Sequence, residues 1–308
     1  MEEYILRTFD LTKTFSGKPA VDRVNLNVRK GDIYGFIGRN GAGKTTLMRM
    51  VAGLAGPPAG GLELFGTPDL KAGRIRTGCA IESPALYPNL TAAQTSKSAA
   101  SSLGIPEKQA AQRVLEIVGL LDTGKKNPKF FAGHKQRLAI AIALLGNPDF
   151  LILDEPINGL DPTGIKEMRD LFVRLRRDHG ITILISSHIL GELSKIATRY
   201  GIINKGVLVD EFSAEELENR CRRCLRIQVD DVKRAVYVIE TILGTTNYDV
   251  LPENVIRLFE FLDEAGRVNT ELSKNDVVVE SISVAGQDLE GYFMELMGGI
   301  GYAESAAQ

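Results

Sequence analysis

The segment GRNGAGKTT, residues 38–46, constrains the fold of this chain more than any other stretch. It matches the pattern G-x-x-x-x-G-K-[S/T], follows the apolar run YGFI and precedes the helical pattern LMRMVAGLAG. In that context the glycines let the backbone curl around phosphate oxygens, and the N–H groups of the helix start supply partial positive charge. The sequence therefore predicts a phosphate-binding strand–loop–helix unit at the centre of an α/β sheet domain.

The lysine and the hydroxyl residue of this loop point to a nucleoside triphosphate. Lys44 is expected to place its charge on the β- and γ-phosphates, and Thr45 to offer its hydroxyl to Mg²⁺. The alternative, a glycine-rich turn with a stray lysine, leaves the flanking strand and helix unexplained. We therefore predict ATP and Mg²⁺ as the ligands. The loop residues expected to contact them are Gly38, Arg39, Asn40, Gly41, Ala42, Gly43, Lys44, Thr45 and Thr46.

A second set of candidate residues follows a buried strand. The apolar run in FLILDEP ends in Asp154 and Glu155. Two adjacent acids at the end of such a strand cost desolvation free energy unless a cation or hydrogen bonds compensate. We expect Asp154 to hold Mg²⁺ through water, and Glu155 to polarise or deprotonate an attacking water. The alternative is a solvated pair of acids at a strand end.

Two more residues have weaker sequence signals. His188 follows the run ILISSH, the next strand after the acidic pair, so it could reach a γ-phosphate. A loop or capping histidine is the alternative. Asp161 precedes Pro162 at the start of a helical pattern, and an Asp-Pro pair is also a good helix start without any further role.

The chain is predicted to have two domains. The runs FLILD and ITILIS suit strands buried on both faces of a parallel sheet, with a helix over residues 161–180 as their crossover. The stretch between Lys44 and Asp154 is too long for one crossover, so we predict a helical subdomain at about residues 88–147. The sheet domain is expected to span 1–215. The remainder, 216–308, has the pattern of a small α+β domain.

Composition excludes several classes of protein. The net charge of −2 argues against a nucleic-acid binder with a basic face. No apolar run approaches the roughly 18–20 residues that span a bilayer, and the N-terminus lacks the basic-then-apolar order of a secretory signal. The three cysteines include the pair Cys221 and Cys224, which has no second pair or nearby histidines to make a metal or redox site. We expect a reduced, cytoplasmic compartment.

The motifs GRNGAGKTT, LILDEP, NGLDP and SSH, in this order and with a helical insert between the first two, resemble the ATP-binding subunit of an ABC transporter. The resemblance covers about residues 4–212. It implies that Phe15 stacks on adenine, Asp154 coordinates Mg²⁺ and Glu155 is the catalytic base. It also implies that His188 is the switch histidine and that Asp161 lies in a loop communicating between subunits.

The segment FFAGHKQRL, residues 130–138, is where this family has Leu-Ser-Gly-Gly-Gln. In the family two subunits pack head to tail, and this signature contacts the γ-phosphate held by the other subunit's loop. Phe131, Ala132 and His134 replace its Ser, first Gly and Gln, while Gly133 keeps its N–H. A lost hydrogen bond to a charged group is worth about 1.5–3 kcal/mol, so we expect a weakened site.

A second departure is Glu82, where the family usually has a Gln that binds Mg²⁺ and the attacking water. A glutamate can also ligate a hard cation through oxygen. The segment IESPALYPNLTA around it, together with the C-terminal domain, resembles the bacitracin- and lantibiotic-resistance branch, in which Glu is familiar at this position. The alternative is a solvated loop glutamate.

The leading hypothesis is a subunit that energises a separate membrane permease from the cytoplasmic face, as a homodimer or a heterodimer with another ATP-binding subunit. The branch resemblance implies export of, or immunity to, a peptide antibiotic. A soluble ABC protein acting on ribosomes or DNA is less favoured, because the chain has neither a second such domain nor long coiled coils. A degenerate ATP-binding regulator is the third hypothesis, supported by Phe131 and opposed by the intact Lys44, Glu155 and His188.

Overall fold

The computed structural model describes residues 3–56, 59–82, 89–120, 132–286 and 289–296. The chain divides into two compact units, Met1–Ala214 and Glu215–Gln308. Phe130 and Phe131, the first residues of the altered signature, lie outside the described residues, as does 83–88 of the segment IESPALYPNLTA. None of the described helices combines the length and apolar character that crossing a bilayer requires.

The strands of the first unit form two sheets, one largely antiparallel and one largely parallel. In chain order these strands are β1 Tyr4–Phe15, β2 Lys18–Val24, β3 Asn27–Arg29, β4 Ile33–Ile37, β5 Ala59–Leu64, β6 Thr77–Ala80, β7 Phe150–Asp154, β8 Thr182–Ser187, β9 Arg199–Asn204 and β10 Val207–Ser213.

The parallel sheet has the order β10-β9-β4-β8-β7-β6, in which β10 pairs antiparallel with β9 and the other neighbours are parallel. Every residue of β4, β7 and β8 is buried, as expected of strands covered on both faces. The carboxyl ends of these three strands meet at one edge of the sheet. That edge is where an open α/β sheet binds its ligands.

The antiparallel sheet has the order β2-β1-β3, and β5 also pairs with β1. Its apolar side chains and those of the parallel sheet belong to one hydrophobic cluster, which includes Leu6, Val24, Phe36, Leu47 and Leu184. The helix that follows β4 contributes Leu47 to the same cluster, so it packs against residues of both sheets.

The helices of the first unit include an inserted group between β6 and β7, where the sequence predicts a helical subdomain. The first helix of this group begins at a capping box, in which Thr91 and Gln94 bond reciprocally to each other's backbone N–H. In chain order the helices are α1 Lys44–Ala52, α2 Leu70–Ile75, α3 Ala92–Ser102, α4 Glu107–Ile117, α5 Ala132–Ala143, α6 Pro162–His179 and α7 Leu190–Leu193. The next helix, α8 Ala214–Cys221, begins at the last residue of the first unit, and its other residues belong to the second.

The predicted start and end of the crossover helix α6 are confirmed. Asp161 is the N-cap, with Oδ1 accepting from the Gly164 N–H, and Pro162 occupies the first turn. Gly180 ends the helix at φ 66°, in the left-handed region that glycine adopts without strain. The helix buries Met168, Leu171, Phe172 and Leu175, the apolar stripe on which the prediction rests.

After α8, the second unit has the order β-α-β-β-α-β, followed by one more described helix. Its sheet order is β12-β13-β11-β14, with every neighbouring pair antiparallel, which is the ferredoxin-like arrangement. The predicted turn at 252–254 joins β12 to β13, and Glu253 and Asn254 both have positive φ there. These elements are β11 Cys224–Val229, α9 Val232–Thr241, β12 Tyr248–Leu251, β13 Val255–Leu258, α10 Ala265–Lys274, β14 Val279–Ala285 and α11 Leu289–Leu296.

The core of the second unit lies between its sheet and the helices α9 and α10, with Ile227, Val238, Ile256, Val268 and Leu272 all buried. None of the three cysteines, all of them among the described residues, forms a disulfide. Burial raises the pKa of the Cys79 thiol to about 11 and also raises the pKa of Cys224. Neither of these two thiols is in the reactive thiolate form near neutral pH.

Candidate active site

The phosphate loop joins β4 to α1 at the carboxyl edge of the parallel sheet. Gly43 is the N-cap of α1 at φ 110°, and a Cβ at this position would collide with the backbone oxygen of Ala20, so only glycine fits. Gly43 makes no side-chain cap bond, which leaves the N-terminus of α1 open toward an anion. The loop and Glu155 together line a small cavity of about 170 Å³.

Lys44 is buried, and its ammonium lies between the loop and Glu155, the residue that follows β7. Nζ donates to the carbonyl oxygen of Gly38 at 2.5 Å and to that of Arg39 at 3.3 Å. It lies 3.2 Å from Oε1 of Glu155. That oxygen is buried and has no hydrogen-bond partner among the described residues, so the contact with Lys44 is an ion pair without hydrogen-bond geometry.

Asp154 and Thr45 face each other across the sheet edge. Thr45 Oγ1 donates to Asp154 Oδ2 at 2.7 Å, and Asp154 is only 7% exposed. Ser186 Oγ donates to the other carboxylate oxygen, Oδ1, at 2.5 Å. Both oxygens of a buried carboxylate are thus bonded, which compensates its desolvation.

His188 contacts the second acid. Its Nδ1 lies 2.8 Å from Glu155 Oε2, and both side chains are partly buried. Because an ionised carboxylate can only accept, this ring nitrogen carries the hydrogen in the bond. Glu155 therefore lies between the Lys44 ammonium and the His188 ring, with one carboxylate oxygen facing each.

The donor set fits a magnesium ion held together with phosphate. Thr45 and Asp154 supply the hard oxygen ligands that Mg²⁺ prefers, next to a loop shaped for phosphate. Across the described residues, no group of three or more His, Cys, Asp or Glu side chains could hold a metal ion by itself. A metal at this edge would therefore take ligands from a bound nucleotide, as Mg²⁺ usually does.

Glu82 lies at a larger groove of about 780 Å³, which Asp154, Glu155 and Asn158 also line. Its backbone has φ 64°, an uncommon value for a residue with a Cβ. The carboxylate makes an ion pair with Arg49 of α1, with Nη2 of the arginine 2.5 Å from Oε1. The side chain is thus near the acidic pair but is engaged by a cation that the sequence analysis did not single out.

Gly133 and Asp161 are at a different place. They line a groove of about 800 Å³ between α5 and α6, together with His134 and Arg137, and the phosphate loop does not contribute to it. Asp161 is the N-cap of α6, as the alternative of a helix-start residue predicts. One chain therefore does not bring Gly133 or Asp161 to its own phosphate loop.

Phe15 ends β1 and is 53% exposed, with the Lys13 ammonium 5.5 Å from its ring centroid. An exposed ring with a cation on it suits stacking, and its contact with adenine remains a prediction.

Three residues that contact the candidate acids were not predicted from the sequence. They are Ser186, Arg49 and Gln136. Ser186 bonds both acids, Arg49 pairs with Glu82, and Gln136 Nε2 reaches the Glu155 carbonyl oxygen at 3.4 Å. The signal for Ser186 was its place two residues before His188. Neither Arg49 nor Gln136 has a comparable signal, because each meets its partner only in the folded chain.

Comparison with known proteins agrees with this geometry. The family model described as ABC transporter matches residues 21–158. The chain is 44% identical to the bacitracin transport ATP-binding protein BcrA of Bacillus licheniformis, over 96% of this chain and 98% of that protein. It is 39% identical to the lantibiotic transport ATP-binding protein SrtF of Streptococcus pyogenes, over 70% of this chain and 93% of that protein.

Solved structures show the same fold. An ATP-binding cassette, solved as a dimer in a post-hydrolysis state with ADP and phosphate, superposes with a TM-score of 0.61 at 22% identity. The superposition covers 68% of this chain and 98% of that one. The predicted sheet domain with a phosphate loop is confirmed. Because it is 44% identical to BcrA over nearly its whole length, the chain belongs to the ABC transporter family, as an ATP-binding subunit of the ATPase type that is similar to those of bacitracin and lantibiotic transport.

Proposed function

We propose that this chain binds Mg-ATP at the 38–46 loop, hydrolyses it, and thereby energises a separate membrane permease. The observation that carries the proposal is the cluster of Lys44, Asp154, Glu155 and His188 at one sheet edge, linked by contacts of 2.8–3.2 Å around Glu155. Its relatives are named for bacitracin and lantibiotic transport. The proposed cargo is accordingly a peptide antibiotic, with export or immunity as the outcome.

Each residue of the cluster has a proposed task. Lys44 holds the β- and γ-phosphate oxygens, which requires its ammonium to exchange the Gly38 carbonyl for a phosphate oxygen. Glu155 accepts the proton of the attacking water through its buried Oε1. His188 holds the other oxygen of that carboxylate. Mg²⁺, when bound beside Thr45 and Asp154, neutralises charge on the phosphates.

The proposed assembly is a dimer of ATP-binding subunits docked on a permease at the cytoplasmic face. The groove that contains Gly133 and Asp161 lacks the phosphate loop, so it supports a role in facing the nucleotide held by a second subunit. A homodimer and a heterodimer are both compatible with this. Membrane attachment is proposed to come from the permease, near Glu82 and the helical subdomain.

The substituted signature favours a second candidate, a weakly hydrolysing subunit or regulator. Phe131, Ala132 and His134 stand where the family has Ser, Gly and Gln. In this candidate ATP binding persists, while turnover is slow unless a partner subunit supplies an intact signature.

The test is antibiotic resistance in a sensitive host that expresses the chain together with a candidate membrane permease chosen from the neighbouring reading frames. Resistance should appear with the parent chain and disappear with Glu155→Gln, while both proteins accumulate equally in the membrane fraction. Expression without the permease should give no resistance and no salt-resistant membrane association. If Glu155→Gln protects the host as well as the parent does, the chain acts by binding and the second candidate stands.

A further inference from the structure

Ser186 is a fully buried hydroxyl residue near the carboxyl end of β8. In the parallel pairing of β7 with β8 it lies directly opposite Asp154. Side chains at opposed positions of neighbouring strands point to the same face of the sheet. The strand register therefore delivers a hydroxyl to the acidic pair.

The Ser186 hydroxyl bonds both acids with one oxygen atom. It donates to Asp154 Oδ1 at 2.5 Å and accepts from the backbone N–H of Glu155 at 2.9 Å. A hydroxyl has a single hydrogen, and the Glu155 N–H can only donate. The direction of both bonds is thereby determined, and the Ser186 hydrogen points at the aspartate.

The backbone of Glu155 needs such a restraint. Its φ is 49°, in the left-handed region that residues with a Cβ rarely occupy. In this conformation the carboxylate lies between Lys44 and His188, with contacts of 3.2 Å and 2.8 Å. Rotation of the 154–155 peptide would remove the carboxylate from both.

We propose that Ser186 is a positioning residue for ATP hydrolysis. It orients the Asp154 carboxylate, whose other oxygen is held by Thr45, and it holds the Glu155 backbone so that the side chain faces the phosphate loop. The inference rests on the proposed roles of Asp154 and Glu155. The orientation of Asp154 and of Glu155 then depends on a single hydroxyl, that of Ser186 in the neighbouring strand β8.

The kinetic test compares Ser186→Ala with Ser186→Thr, which keeps a hydroxyl at the same place. Ser186→Ala should lower kcat about 10- to 100-fold, the scale of a lost hydrogen bond to a charged group, and change the KM for ATP less than about threefold. It should also raise the half-saturating Mg²⁺ concentration, since the Asp154 carboxylate is no longer oriented. Ser186→Thr should recover most of the kcat.

The second measurement needs no turnover. Hydrogen–deuterium exchange of the peptide over residues 150–158 is followed in nucleotide-free protein. Ser186→Ala should accelerate exchange there, because the Glu155 N–H loses its acceptor. The matched control is Thr182→Val, which removes a buried hydroxyl at the start of the same strand, where it accepts from the Gly31 N–H at 2.9 Å. That variant should leave exchange at 150–158 and kcat near the parent values.

Two results would overturn the proposal. One is parent-like kcat and parent-like exchange in Ser186→Ala. The other is an equal loss in Ser186→Ala, Ser186→Thr and Thr182→Val, which would mean that any buried change in β8 harms the fold. A parent chain that does not hydrolyse ATP at all would instead contradict the proposed function, and the exchange comparison would still decide whether Ser186 holds the Glu155 backbone.

Discussion

Two regions of the first unit, the carboxyl edge of the parallel sheet and the groove between α5 and α6, differ in whether they contain the phosphate loop. At the carboxyl edge of the parallel sheet, Lys44, Asp154 and Glu155 come from two neighbouring elements and already contact one another or a shared partner. In the groove between α5 and α6, Gly133 and Asp161 are both lining residues, and the phosphate loop does not contribute to the lining. Under the proposed function the first region supplies the groups for hydrolysis within one chain, and the second is completed by a partner subunit.

The largest expected effect is at Glu155. Glu155→Gln keeps the shape of the side chain but removes the base, so phosphate release at saturating Mg-ATP should fall by about 10²- to 10⁴-fold. ATP binding should be retained, and the variant should trap an ATP-bound dimer where one forms. Glu192→Gln is the control, because Glu192 is about equally exposed and is ion-paired with Arg169 at 2.6 Å. Parent-like turnover in Glu155→Gln would assign proton transfer to another group.

The next largest effect is at Lys44. Lys44→Ala removes the ammonium expected on the β- and γ-phosphates, which should weaken ATP binding by about 10- to 150-fold. Titration with a fluorescent ATP analogue measures this, and a thermal melt confirms that the variant is folded. The control is Lys30→Ala, which removes an exposed lysine paired with Glu3. Unchanged ATP affinity in folded Lys44→Ala would exclude the loop as the phosphate site.

The third prediction concerns the substituted signature, the segment of the sequence that leads into α5. Phe131→Ser combined with Ala132→Gly restores a hydroxyl and a flexible glycine beside Gly133. If 1.5–3 kcal/mol of phosphate contact is recovered in the transition state, turnover of the homodimer should rise by roughly tenfold or more. Steady-state turnover is compared at saturating Mg-ATP and equal dimer content, with Ala132→Gly alone as the control.

A parent chain that already matches this double variant would contradict the idea of a weakened signature. In that case the Gly133 N–H and the N-terminus of α5 would be sufficient for the contact, and the two regions would differ less than proposed.

The smallest expected effect is at the ion pair of Arg49 with Glu82. Exposed ion pairs contribute about 0–1 kcal/mol, so Arg49→Gln should barely change the free energy of unfolding. It should release the Glu82 carboxylate and lower the half-saturating Mg²⁺ concentration for turnover, by up to about fivefold. Arg177→Gln, which breaks another exposed pair, is the control. The same shift in a Glu82→Gln background would show that Arg49 acts by some other route.

Local patterns were sufficient for much of the fold. The buried runs of β4, β7 and β8, the phosphate loop and both ends of α6 were all predicted, because each depends on residues within one element or its immediate flanks. Asp154, Glu155 and His188 were predicted to lie near the phosphates because they follow two consecutive strands of the predicted sheet.

The sequence by itself thus determined which residues follow which strands, and with them the grouping of the phosphate loop, Asp154, Glu155 and His188 at one sheet edge. Only the tertiary structure decided which side chains contact these residues. The register of β7 against β8 sets Ser186 opposite Asp154, and the packing of α1 brings Arg49 to Glu82. The ferredoxin-like strand order of the second unit is likewise a matter of long-range pairing. Strand register and helix placement depend on contacts between residues far apart in the chain, because burial of apolar surface selects them collectively rather than one segment at a time.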